Sequence, residues 1–543
     1  MSDTLPSTGS PDGEIDTTRL RARYESVKYT SRVYRLTHPD RLAMVARLRG
    51  LVPPDVSTAR VLEIGCGSGA NIVAMAHHAP GASFLGVDLS DTIMEEGRAA
   101  AAHLGLDNLT FLAAPVEALP DVGTFDYIIS HGVYSWITDE ARRAMLDAIR
   151  RHLAPNGVAY VSYNALPGWY YRLQTRDILR WHGERFEEPE TQIEQGRLML
   201  DFIIKGIDTE VSLYGRLLKR TAENLDESAD AYVFHDYYAP INRPLYVTEF
   251  LGSAAAASLQ YLGEADHGEV MPARMPQVFH EALKTLEDEP VRFQQLIDHI
   301  RCAGFRRTLL THAALPLSVG DTSADVGMAM TILGGTELLM QSRLKDGVDF
   351  DRRKPTVAVT RDELEVTTND PLVKAALFEL ENAYPTALGV EDLFVQARAR
   401  MKSFRRRSTT DFGGFCVILV EFFALGIVDV LPRHIAVVTQ LSERPRANRL
   451  ARWEATRGED RVSNAYLERV EAQNVDRVLL RAADGTRDLQ AIADAVAGAV
   501  RDGELVLHVD DEVTSDTELI QDVAREVTMS RLSAMASVGL LDR

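Results

Sequence analysis

Between residues 60 and 163, apolar runs of five or six residues alternate with stretches whose apolar positions recur every three to four residues. The runs at 60–65, 83–88, 109–113, 125–130 and 158–163 predict strands. The intervals near 69–79, 91–104 and 139–153 predict helices, the second capped by Ser90. Strands separated by helices imply a parallel sheet covered on both faces. Upstream, 18–50 reads as helical, with Pro39 at a helix start and Leu42, Val45, Ala46 and Leu48 as the apolar set behind it. After Trp169 the alternation stops. Residues 170–300 read as mostly helical, with one Tyr/Pro-rich break at 232–248. Leu296 to His312 then reads as a helix ending at Gly304 and a strand starting at Phe305.

From about 346 the chain changes character. Two helices over 371–403, a third over 411–425, Gly426 and a strand at Ile427–Leu431 give a winged-helix-like order. Residues 444–543 form a last small α/β unit, with an Asp-Gly-Thr turn at 484–486 and an acidic loop at 510–518. The expected division is a disordered tail over 1–17, then units at 18–169, 170–345, 346–443 and 444–543. A length of 543 residues exceeds what one hydrophobic core serves, which supports several units.

Composition narrows the partners. Net charge is −20, from 79 acidic against 59 basic residues, which argues against nucleic-acid binding and leaves cationic partners open. Cys66, Cys302 and Cys416 are too dispersed for a disulfide framework or a metal site, so no metal and a reducing cytoplasm are expected. The N-terminus carries no basic-then-apolar signal. Phe412 to Leu431, the most apolar stretch, is interrupted by Glu421, Gly426 and Asp429, so no membrane span is expected. Five basic residues around Phe404, within Ala399–Arg407, read as a solvated helix end, with partner docking as the alternative.

Candidate chemistry concentrates at Val61-Leu62-Glu63-Ile64-Gly65-Cys66-Gly67-Ser68-Gly69. Glycines at every second position after a strand let a ligand approach the backbone closely. Asp88, 23 residues after Gly65 and ending the next apolar run, suits a pair of ribose hydroxyls. Dinucleotide loops use G-x-G-x-x-G; here the spacing is G-x-G-x-G, with Glu63 two residues before the first glycine. A carboxylate there opposes a pyrophosphate and favours the ammonium of a methionine moiety. His131, Tyr134 and Trp136 follow the fourth strand, and Tyr163, Asn164 and Trp169 end or follow the fifth. Ligands in open α/β sheets bind at these carboxyl ends, so both loops are expected to wall the acceptor pocket, with core packing as the alternative for each aromatic. His131 is a candidate general base. His235-Asp236 could accept a substrate proton or pin the helical segment to the core.

The glycine loop is similar to motif I of class I S-adenosylmethionine-dependent methyltransferases. The likeness continues in Tyr24-x-x-x-x-Tyr29-x-Ser31, Thr37-His38-Pro39-Asp40-Arg41-Leu42, His131-Gly132-Val133-Tyr134-Ser135-Trp136 and Leu153-Ala154-Pro155-Asn156-Gly157-Val158. It runs on through Ser162-Tyr163-Asn164-x-x-Pro167-Gly168-Trp169, Phe234-His235-Asp236-Tyr237-Tyr238, Asn242-Arg243-Pro244, Leu259-Gln260-Tyr261-Leu262-Gly263-Glu264-Ala265 and Phe305-Arg306-Arg307-Thr308-Leu309-Leu310. Together these resemble bacterial methyltransferases with a methyltransferase regulatory domain, whose best-known members are the rickettsial-type protein-lysine methyltransferases. The resemblance implies a Rossmann-like sheet completed by 305–312, with about 170–290 as a helical insertion. It also implies S-adenosylmethionine as cofactor, held by Tyr29, Glu63, Gly65, Cys66, Gly67, Gly69, Asp88, Leu89, Val116, Glu117, Ser130 and His131. Lys28 departs from a proline usual before Tyr29. Pro115 stands where an aspartate commonly meets the adenine amine, which leaves the Val116 N–H and the Glu117 carboxylate.

The candidate catalytic set is His131, Tyr134, Trp136, Tyr163, Asn164, Trp169, His235 and Asp236. The leading expectation is in-line methyl transfer to a lysine amine of a protein or peptide. The alternatives are a small-molecule or natural-product acceptor, and a cofactor-binding scaffold without turnover. A homodimer is compatible with this reading. DNA methylation is not expected: Ser130-His131-Gly132-Val133 replaces the Asn/Asp-Pro-Pro-Tyr/Phe motif.

Overall fold

In a computed structural model of the chain, which describes residues 17–27, 31–226, 228–286, 288–318, 326–350, 354–401, 408–509, 512–513 and 515–542, the five predicted strands form side by side. They are β1 (Arg60–Ile64), β2 (Ser83–Asp88), β3 (Leu109–Ala113), β4 (Phe125–Ser130) and β5 (Leu153–Asn164). Two more, β6 (Leu259–Glu264) and β7 (Phe305–His312), complete a seven-stranded sheet of order β3-β2-β1-β4-β5-β7-β6. β7 runs antiparallel to β5, with Ala159 opposite Leu310, so 305–312 does join the sheet that holds 60–65. The expected tail, except Thr17, lies outside the described residues, as do Tyr29 and residues 402–407 of the basic stretch.

Helices α1 (Thr17–Ser26) and α2 (Pro39–Leu48) precede the sheet, and α3 (Ala70–His78), α4 (Asp91–Leu104) and α5 (Asp139–His152) connect its strands. Ser90 caps α4 by accepting from the Ile93 N–H at 3.3 Å. Alternation along the strands sorts their side chains between two cores. Val61, Ile129, Val158 and Tyr160 face the α3 side, and Leu62, Ile128, Ala159, Val161 and Tyr163 face the α5 side.

Between β5 and β6 lie α6 (Tyr170–Gly183), α7 (Pro189–Gly206), α8 (Leu213–Asp226), α9 (Asp230–Tyr237) and α10 (Val247–Ala256). The first four enclose a core of their own around Leu179, Ile193, Leu218, Val233 and Tyr238, while Phe250 of α10 packs on the sheet. β6 falls in the span expected to be helical. Its alanine-rich approach continues a helical pattern, and the break comes at Ser258, a non-glycine residue at φ 61°. The helix before β7 ends at Arg301, where Cys302 takes φ 51°, rather than at Gly304. In both places the stop is a backbone conformation that the residue type does not advertise.

Helices Pro371–Ala383, Val390–Met401 and Phe412–Leu425 and the strand Val428–Leu431 follow in the predicted order. That strand pairs with Glu337–Met340, which also pairs with Leu388–Gly389. Met44 and Leu48 of α2 enter this unit's core and tie it to the sheet domain. Among the described residues, four further helices enclose the last core. Among the described residues, no helix is long and apolar enough to cross a membrane.

Candidate active site

β1 ends where the chain must turn sharply under a helix N-terminus, and the glycines absorb that turn. Gly65 and Gly67 sit at φ 74° and 55°, and Gly69 precedes α3. A Cβ on Gly67 would lie 2.8 Å from Ser31 Oγ, so any larger residue collides with the segment that covers the loop. The Gly67 N–H donates to Asp88 Oδ2 at 2.8 Å, and the Ser90 N–H donates to Oδ1 at 3.0 Å. Asp88 is 6% exposed, and burial raises its carboxyl above the ordinary value against the pull of these N–H groups. The Gly67, Ser90 and Leu89 N–H groups take part of its acceptor capacity, and the rest remains for hydroxyl donors.

Glu63 lies beneath the loop. Its Oε1 accepts from Asn71 Nδ2 at 2.8 Å, and its Oε2 is buried with no hydrogen-bond partner among the described residues. Burial pushes this carboxyl up to about 8; the Asn71 bond opposes the shift and the Asp88 charge adds to it. A lone acceptor oxygen in that position is costly unless a donor arrives. Ser130 Oγ, at the end of β4, is likewise buried and unpartnered. Cys66 is buried beside the loop and Leu89 follows Asp88 half-buried. Val116 lies half-buried in a single 3-10 turn, Val116–Ala118, while Glu117 is exposed on that turn.

The segment after α1 closes over the loop. Ser31 Oγ accepts from the Ser68 N–H at 3.1 Å, and the Tyr34 N–H donates to Asn71 Oδ1 at 2.9 Å. The Tyr24 hydroxyl would be 3.6 Å from a Cβ on Gly67. Tyr24, Tyr34 and Asn71 were absent from the candidate set. Tyr24 belongs to a quoted motif, and Asn71, on the first turn of α3, is a polar residue on a buried helix face.

His131 begins the loop after β4. Its ring lies 3.8 Å from that of Tyr34, and its Nδ1 lies 2.8 Å from the Tyr160 hydroxyl. Burial, with Arg307 adding to it, pushes the imidazole down to about 3. At neutral pH it is uncharged and too weak a base to hold a proton taken from an amine. The structure therefore supports a fixed hydrogen-bond partner for Tyr160 rather than a general base. Tyr160 was missed although parity could have found it: it alternates with Tyr163 and lies on the opposite face.

Tyr134 and Tyr163 correct the expectation of a pocket wall. They are 2% and 1% exposed, and both pack on Phe250, Tyr163 stacked at 4.3 Å and Tyr134 edge-on at 5.1 Å. β5 turns Tyr163 toward α10, and the bend after Gly132 turns Tyr134 the same way. Asn164 is buried, with its Nδ2 donating to Asn242 Oδ1 at 3.2 Å and its N–H donating to Ser135 Oγ at 2.8 Å. Trp136 meets Trp169 edge-on at 6.3 Å, and Trp169 lies 6.5 Å from Tyr237 of α9. The strand-four and strand-five loops thus meet through their tryptophans, and α9 joins them.

α9 also carries His235 and Asp236. His235 Nε2 donates to the Val27 carbonyl at 2.8 Å and its ring meets Tyr24 edge-on at 5.6 Å, so it holds α9 against the segment over the glycine loop. Asp236 is raised to about 6 by burial; its hydrogen bond with Tyr232 and the charge of Arg172 limit the shift. Arg172 lies over the Trp169 ring at 5.4 Å. Trp169, Arg172, Tyr232, Asp236 and Tyr237 form one aromatic cluster holding a carboxyl. Among the described residues, no group of three or more His, Cys, Asp or Glu side chains is placed to hold a metal ion.

The reversed seventh strand, the glycine loop ending β1 and the carboxylate ending β2 define a class I methyltransferase. Residues 61–157 match a methyltransferase domain model, 229–312 a predicted methyltransferase regulatory domain, and 443–540 a PKMT C-terminal winged helix domain. The winged-helix match thus falls on the last unit, not on 346–443, where the order of elements suggested one. Uncharacterized protein RP789 of Rickettsia prowazekii is 28% identical over 95% of this chain and 93% of its own. RP028 of the same organism is 35% identical over 42% of this chain and 93% of its own. PKMT2 from Rickettsia typhi, solved in complex with AdoHcy, shares the fold at a TM-score of 0.80 and 24% identity, covering 94% of this chain and 99% of that one. The chain belongs to the class I S-adenosylmethionine-dependent methyltransferases, in the family with a regulatory domain and a PKMT-type winged helix.

Proposed function

We propose that this enzyme methylates a lysine amine of a protein, with S-adenosylmethionine held where β1, β2 and β4 end. The residues present fit that cofactor: the unpartnered Glu63 Oε2 suits an ammonium, and the spare lone pairs of Asp88 suit two ribose hydroxyls. Gly65, Cys66, Gly67 and Gly69 leave room for close approach, and Leu89 and Val116 would flank the adenine. Glu117, exposed on its turn, adds less to this face than the sequence pattern implied. Ser130 and His131 stand at the β4 end of this site, and Tyr29 lies outside the described residues. When bound, the sulfonium supplies an electrophilic methyl group open to in-line attack.

The observation that carries the acceptor assignment is Asp236, a carboxyl raised to about 6 amid Tyr232, Tyr237 and Trp169, one residue from the His235 that rests on Tyr24. A lysine must lose its proton before attack, which costs about 4–5 kcal/mol near pH 7 from a model value of about 10.4. Burial among rings lowers the amine's pKa. The aromatic faces hold the ammonium on arrival. Asp236 attracts it and, as a stronger base than an exposed carboxylate, takes its proton. The likeness to PKMT2 supports a protein substrate. Labelled methyl donor added to a lysate of the source cells, followed by total acid hydrolysis, should yield N-methyl-lysine. Label confined to small molecules would favour the metabolite alternative, and no label would favour a scaffold.

Glu63 gives a separate test of the cofactor's orientation. With the free carboxyl at about 8, it is protonated at pH 7 and must ionise to face an ammonium. S-adenosylhomocysteine binding at pH 7 should therefore release close to one proton, read by calorimetry in buffers of different ionisation enthalpy. Glu63→Gln should abolish the release; native binding without release would contradict the assignment. In the unliganded chain the sign is fixed as well. The folded value lies above the unfolded 4.5, so this group's stabilisation is full below 4.5 and gone above about 8.

A cytoplasmic location and a homodimer belong to the same reading. Exposed Trp181, Phe202, Val211 and Leu213 on and between α6, α7 and α8 support a second copy as partner, checked by light scattering in solution.

A further inference from the structure

Asp429 lies in the strand Val428–Leu431, hundreds of residues from the glycine loop, yet it grips the segment that covers that loop. One carboxylate oxygen binds Arg35, the other binds Arg41 Nη1 at 3.0 Å, and the residue is 6% exposed. Arg41 also donates from Nε to the Ala265 carbonyl at 2.9 Å, and Arg35 lies 3.7 Å from Glu468 of the last unit. Arg35 to Thr37 form the turn that leads into α2.

The same turn holds the cofactor side. Thr37 Oγ1 donates to the Tyr34 carbonyl at 2.8 Å and accepts from Asn71 Nδ2 at 3.0 Å. Asn71 takes the Tyr34 N–H at 2.9 Å and donates to Glu63 Oε1 at 2.8 Å. Two buried carboxyl groups, of Asp429 and Glu63, are thus joined across residues 34–41 by two guanidiniums and one amide. Burial lowers both guanidiniums, opposed chiefly by Glu468 at Arg35 and by Asp266 at Arg41, where the Arg35 charge adds to the lowering; the Asp429 carboxylate bonds to both. Removing it leaves two partly buried cations facing each other with a hydrogen-bond partner lost.

We propose that Asp429 is a positioning residue for cofactor binding: through Arg35 and Arg41 it fixes the turn that aims Asn71 and Glu63. This assigns the middle unit a part in the methyl-donor site, and it rests on the cofactor placement proposed above. The test is S-adenosylhomocysteine affinity in the full chain. Asp429→Asn should weaken it about tenfold, while Asp362→Asn, which breaks the exposed inter-unit pair with Arg274, should change it less than twofold. In a double-mutant cycle, Asp429→Asn and Asn71→Ala together should weaken binding little more than the larger single change, because both cut one network. Effects that multiply, or an unchanged affinity in Asp429→Asn, would overturn the proposal. Should Asp429→Asn fail to fold, Arg41→Lys carries the same test, since lysine keeps the charge but cannot reach Ala265 and Asp429 together. Gly67→Val separates the two readings. Retained affinity there would overturn the cofactor placement and this coupling with it; lost affinity there with intact Asp429→Asn binding would overturn the coupling alone.

Discussion

Replacing Asp88 with alanine is expected to weaken S-adenosylhomocysteine binding by about 10²–10⁴-fold. A hydrogen bond to a charged group contributes about 1.5–3 kcal/mol, and two ribose hydroxyls would bind this carboxylate, giving about 3–6 kcal/mol in all. Each 1.4 kcal/mol is about tenfold in affinity. The change also strips the Gly67 and Ser90 N–H groups of their acceptor, so the loop loses its shape along with its charge. Calorimetric titration of the variant, with a thermal melt to show that it folds, measures the effect. Affinity within tenfold of the native protein would mean that Asp88 shapes the loop without touching the cofactor.

Asp236→Asn is expected to lower kcat by about 100-fold while cofactor affinity stays within twofold. A positioned proton acceptor contributes about 10²–10⁴ in rate, and asparagine keeps the shape of the side chain while losing its basicity. The native pH profile should carry the mark of this carboxyl. With its value raised to about 6, the ionised form grows as pH rises through 6, so kcat should climb over that interval and the limb should vanish in the variant. His131→Ala should leave that limb in place, because an imidazole pushed down to about 3 is already neutral there. Unchanged kcat in Asp236→Asn would remove α9 from the chemistry and leave it as packing.

Much of this site was legible because it depends on local rules. Glycine spacing after an apolar strand and a carboxylate ending the next strand lie within one short span, Val61 to Asp88, and the strand pattern itself marks the sheet edge where the later loops gather. The residues that escaped are those whose role depends on parity or distance. Tyr160 and Tyr163 are three apart on one strand and face opposite cores, so a loop position near the sheet edge said nothing of which tyrosine would reach His131. Tyr34 and Asn71 meet across 37 positions. β6 was hidden because Ser258 turns the chain without a glycine or proline. Asp429 interrupts an apolar stretch and was read only as evidence against a membrane span; its two arginine partners lie nearly 400 residues away and no periodicity links them.

Chemical blocking of the acceptor decides whether the methyl group goes to lysine, as proposed. A lysate of the source cells is split, and in one half the protein amines are acetylated before enzyme and labelled S-adenosylmethionine are added. Strong protein labelling is expected in the untreated half, little in the acetylated half, and none in either half with the Asp88→Ala enzyme. Undiminished labelling of the acetylated proteins would place the methyl group on another atom and rule out a lysine acceptor.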